Sequence, residues 1–81
     1  MEGTTVLPFD ETGTIFDVDM LEERGRCMVK FGLTVGAVIV SCYYRGVLDP
    51  RPCQGQRAHV VGQWLRLTGC GSVAVDSVGQ A

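Results

Sequence analysis

Apolar and polar side chains alternate from Gly13 to Leu21, a charged corner follows, and the alternation resumes from Arg26 to Phe31. A period of two marks a strand with one buried face, so the two runs predict a hairpin around Glu22-Glu23-Arg24-Gly25. In the first run Thr14, Phe16, Val18 and Met20 share one face, and Ile15, Asp17, Asp19 and Leu21 the other. In the second, Cys27, Val29 and Phe31 oppose Arg26, Met28 and Lys30. A four-residue corner sets Asp17 against Lys30, whereas a tight Arg24-Gly25 turn sets Asp19 there instead. Either register keeps the apolar faces together, so the hairpin does not depend on the choice. Cross-strand pairing, worth about 0.2–1 kcal/mol per pair, is reason enough for the outer charges.

The longest apolar run, Val35–Arg45, is apolar on both faces and reads as a central strand. Its more apolar face holds Val38, Val40, Cys42 and Tyr44; the other holds Ile39, Ser41, Tyr43 and Arg45. Residues 46–57, GVLDPRPCQGQR, carry turn punctuation and form the long loop. A strand His59–Thr68 bending at Gly62, a turn at Gly69-Cys70-Gly71 and a strand Ser72–Val78 complete the chain. A short edge strand, Thr4–Leu7, would end at Pro8, which cannot donate to a ladder. Flexible ends are expected at about 1–3 and 79–81. No window of a dozen residues keeps an apolar stripe at helical spacing. The expectation is one all-β domain, a small five- or six-stranded barrel, OB-like as first choice and SH3-like as second. The two prolines of the long loop disfavour the helix that an OB barrel carries in its third connection.

Composition adds two constraints. The 81 residues are 46% apolar, enough for a core but a thin one, which favours a homo-oligomer. The net charge of −2 hides a division: residues 1–23 carry seven acids and no base, while residues 24–81 carry seven bases against Asp49 and Asp76. A basic majority favours an anionic partner, although a dedicated nucleic-acid binder is usually more basic overall. Met1-Glu2-Gly3-Thr4-Thr5 has no basic or apolar leader character, and no apolar stretch is long enough to cross a bilayer. The reading is therefore cytoplasmic, with no membrane partner and with Cys27, Cys42, Cys53 and Cys70 reduced.

If Leu65 and Leu67 point inward, Trp64, Arg66 and Thr68 turn outward. Tyr43, Arg45, Trp64, Arg66, Lys30 and Arg26 then form a ligand-binding face of aromatic and basic groups. Rings that stack on bases, beside cations that neutralise phosphates, are what single-stranded nucleic acid requires. The expected function is a non-catalytic binding module for such a strand; the alternative is a protein–protein interaction or assembly protein forming a homo-oligomer. The cysteine spacings match no common zinc pattern, and Asp17 and Asp19 lack a third acid or a histidine beside them. His59 has no identifiable nucleophile to serve, and no glycine-rich phosphate loop occurs. Neither catalytic residues nor a cofactor or metal is expected.

Overall fold

The hairpin forms in the tighter of its two registers. In the computed structural model, which describes residues 7–48, 51–65 and 72–81, Glu23 pairs with Arg26 and Asp19 with Lys30 across an Arg24-Gly25 turn. Both turn residues have positive φ, 55° and 75°, as a type I′ turn demands to match the strand twist. Five strands follow one another: β1 (Leu7–Glu23), β2 (Arg26–Val35), β3 (Val38–Arg45), β4 (Arg57–Leu65) and β5 (Ser72–Gln80). They close in the order β1-β2-β3-β5-β4, with β4 returning to β1. Every contact is antiparallel except β3–β5, which is parallel over Ser41–Tyr43 and Ser72–Ala74. The protein is thus an all-β closed barrel of five strands, with no helix among the described residues.

Closure depends on β1. Its 17 residues pair with β4 from Leu7 to Thr14 and with β2 from Thr14 onward, so one strand serves two sides of the barrel. The change of direction is made by a bulge between Phe16 and Asp19, with Asp17 at φ 52°. Such an extra residue bends the strand and reverses the alternation beyond it. The expected face of Thr14, Phe16, Val18 and Met20 is split by this bulge. Ile15 is fully buried, Phe16 lies on the outer surface across Gly32, and Val18 packs on the core. A Cβ at Gly32 would stand 2.4 Å from the Phe16 ring, so the absent side chain makes room for the aromatic.

A second correction concerns the central run. Val35–Arg45 is the last residue of β2 and the whole of β3, with a Gly36-Ala37 turn between them, and Val35 pairs with Val38. Gly36 has φ 60°, the first central position of a type II′ turn. The apolar residues on either side hid this turn from a reading based on hydrophobicity. β1 also begins earlier than expected and includes Pro8, opposite Gln63, while the proposed strand residues before Leu7 lie outside the described residues. At the other end β5 stays paired as far as Gln80, opposite Ala58.

Phe9, Ile15, Val29, Phe31, Leu33, Val40, Cys42, Ala58, Val60, Val73 and Val75 make the core, and no polar side chain is buried with them among the described residues. The loop between β3 and β4 closes over it: Leu48 packs on the core and Pro52 is buried. Where β1 passes from β4 to β2, the loop satisfies its backbone. The Ile15 N–H donates to the Gln56 carbonyl (2.8 Å) and the Gly55 N–H to the Ile15 carbonyl (2.7 Å). A buried strand residue at that junction would otherwise keep unpaired polar groups.

Candidate nucleic-acid interface

The register places side chains of β1, β2 and β3 in rows across one outer face. One row runs Asp19, Lys30, Tyr43, and the next, toward the β1–β2 turn, runs Leu21, Met28, Arg45. Rows two residues apart on a strand are separated by about 7 Å. The Lys30 ammonium lies over the Tyr43 ring, 5.8 Å from its centroid, at the outer limit of a useful cation–π contact. Arg26 lies one row further out, beside the turn, and is exposed. Arg26, Lys30, Tyr43 and Arg45 are therefore brought together as expected.

Trp64 is not with them. It stands on the inner side of β4 with Ala58, Val60 and Gly62, opposite buried Val73 of β5. Its ring meets Phe9 edge-on, with centroids 5.2 Å apart at 85°, and packs on the core. Leu65, expected inside, is 38% exposed. The inner positions of β4 include two small residues, Ala58 and Gly62; Gly62 faces Phe9 across the β1–β4 ladder, and the space where its side chain would stand is taken by the β5 backbone at Ala74 and Val75. Arg66 lies outside the described residues.

The structure adds a feature that the alternation could not reveal. Leu21, Arg24, Arg26, Cys27, Met28, Arg45 and Gly46 line an open groove of about 730 Å³ at the turn end of this face. Arg24 lines the groove from the type I′ turn between β1 and β2. As a turn residue it belonged to neither alternating strand, and only its charge could have flagged it.

Of the remaining candidates, His59 bonds to Asp10 across the outer surface of the β1–β4 ladder, which gives it a structural partner. Cys42 is fully buried, and burial pushes its thiol pKa up to about 12, so it behaves as a small apolar side chain. Cys27 is half-buried, with its thiol directed at the Glu22 carboxylate (3.8 Å), and Cys53 is exposed in the long loop. Cys70 lies outside the described residues. Among the described residues no three His, Cys, Asp or Glu side chains gather as a metal site, and no helix is long and apolar enough to cross a membrane. Reductant and chelator are each expected to leave the melting temperature unchanged; a fall with either would show that a disulfide or a metal supports the barrel.

No family model, curated protein or solved structure matches the chain.

Proposed function

We propose that this protein is a non-catalytic binding module for single-stranded nucleic acid, which it takes across the outer face of β2 and β3. The observation that carries the reading is the row-by-row register of Lys30 with Tyr43 and of Met28 with Arg45. It presents an aromatic ring and cations to one solvent-exposed surface without a buried ion pair to maintain. A base can stack on Tyr43 while Lys30, Arg45, Arg26 and Arg24 neutralise phosphates. We read the barrel as OB-like, since five-stranded Greek-key barrels of that type bind oligonucleotides on the face of strands 2 and 3 and on the loop between strands 1 and 2. Asp19 beside Lys30 limits affinity, so binding is expected to be modest and strongly salt-dependent.

The test is fluorescence anisotropy of an end-labelled oligonucleotide, with the label on the nucleic acid because Trp64 is half-buried against Phe9. Affinity is expected to fall with salt, the log–log slope steepening by roughly 0.7 for each phosphate neutralised on a single strand. Arg45→Ala should weaken binding and make the slope shallower. Tyr43→Ala should weaken binding about five- to a hundredfold with the slope retained, since stacking is not a counterion effect.

A homo-oligomeric assembly protein is the second reading, and it has its own observation. Val38 and Ile39, adjacent in sequence beside the β2–β3 turn, are 59% and 66% exposed and form an apolar tip. No oligonucleotide response even at low salt, together with a dimer or larger species in sedimentation, would favour assembly over nucleic-acid binding.

A further inference from the structure

We infer that the groove beside the β1–β2 turn is a nucleotide pocket, with a base lying on Leu21 and Met28 and its phosphate held by Arg24, Arg26 and Arg45. This rests on the proposed strand-binding face and names what one part of that face takes. At about 730 Å³ the groove falls within the range of small-molecule sites and is far larger than a lone anion needs. Its composition is divided in the same way as a nucleotide. Leu21 and Met28 are cross-strand partners, so their side chains stand next to each other as an apolar floor. Around that floor Arg24, Arg26 and Arg45 line the groove, and the Cys27 thiol at its edge is directed at the Glu22 carboxylate.

Three observations favour a nucleotide over an acidic peptide. Guanidinium groups offer planar, forked donors matched to phosphate oxygens, and three of them serve one small volume. The floor is the side-by-side surface of two strands, broad enough for the plane of a base. Tyr43 then lies one row further along the same face, placed to stack the adjacent base of the strand. The arginine that sequence alternation left aside thus acquires a role: Arg24 closes the end of the groove, and its turn position fixes it there.

The experiment is a titration of the full chain, carrying methyl-labelled leucine and methionine, with uridine 5′-monophosphate, uridine, inorganic phosphate and a short Glu-Leu peptide. The monophosphate should shift the Leu21 and Met28 methyl signals saturably and bind at least tenfold more tightly than each of the other three. Arg45→Gln and Arg24→Asn should each weaken it about five- to tenfold. Asparagine tolerates the left-handed backbone at position 24, so the turn is kept while the guanidinium is removed. Equal binding of phosphate or of the peptide would overturn the pocket as a nucleotide site. An oligonucleotide that binds while the Leu21 and Met28 methyls stay unmoved would overturn it too, but leave strand binding across Tyr43 intact. Monophosphate binding without any oligonucleotide response would keep the pocket and remove the strand-binding function.

Discussion

Trp64→Ala is expected to cost about 2–4 kcal/mol of stability and to leave oligonucleotide affinity unchanged. A fully buried tryptophan or phenylalanine cut to alanine costs about 3–5 kcal/mol, and half-burial reduces that figure. What is lost is the edge-on contact with Phe9 and the cover over Val73 at one end of the barrel. Against a total of about 4–12 kcal/mol for a chain of this length, the loss is severe but leaves folded protein at low temperature. Urea titration gives the stability, and anisotropy well below the new melting temperature gives the affinity. A drop in affinity with the fold intact would restore Trp64 to the binding face and contradict its inward placement. Tyr43→Ala should show the opposite pattern, with affinity lost and stability little changed.

The second large effect is expected at a residue without a side chain. Gly62→Ala should destabilise the barrel by about 3 kcal/mol or more, the upper end of the overpacking range. An added Cβ would stand 2.1 Å from the Ala74 carbonyl oxygen and 2.9 Å from the Val75 Cα. Those atoms are backbone of β5, so no side-chain rotation relieves the clash and the β4–β5 ladder must separate or slip. The site is where that ladder shifts register, between Val61 and Gly62. Gly25→Ala, by contrast, meets no neighbour and strains only its own φ of 75°, so it should cost less. Thermal melts of the two variants side by side check the ordering; a Gly62→Ala protein as stable as the parent would mean β4 and β5 are further apart than described.

Local alternation was a good guide where strands are straight and a poor one where they bend. The hairpin of β1 and β2 was legible from Asp19 to Lys30 because charges and apolar residues alternate in phase on both sides of Arg24-Gly25. Alternation puts Phe16 and Val18 on one face because nothing in the residues around Asp17 announces a bulge. The phase of β4 failed for another reason. Its inner positions are Ala58, Val60, Gly62 and Trp64, and two of these are too small to register as apolar beside Val61, Leu65 and Leu67. The proposed binding face follows the same division. Lys30, Tyr43 and Arg45 lie on strands whose phase was read correctly, whereas Arg24 depended on turn geometry and Trp64 on the phase of β4.

The parallel contact between β3 and β5 has a kinetic consequence. It joins Ser41–Tyr43 to Ser72–Ala74, three residue pairs, whereas β1–β2 and β2–β3 are joined by two-residue turns and carry eight pairs each. The local hairpins can form within microseconds, but the β3–β5 contact must wait for the long loop and β4 to be ordered between its partners. Few bonds then repay a large loss of chain freedom. Folding is therefore expected to begin with the meander of β1, β2 and β3, the part that carries the proposed binding face, and to end when the paired β4 and β5 close the barrel against β3. Unfolding runs in reverse, so amide protons of Ser72–Ala74 exchange earlier than those of Val29–Leu33.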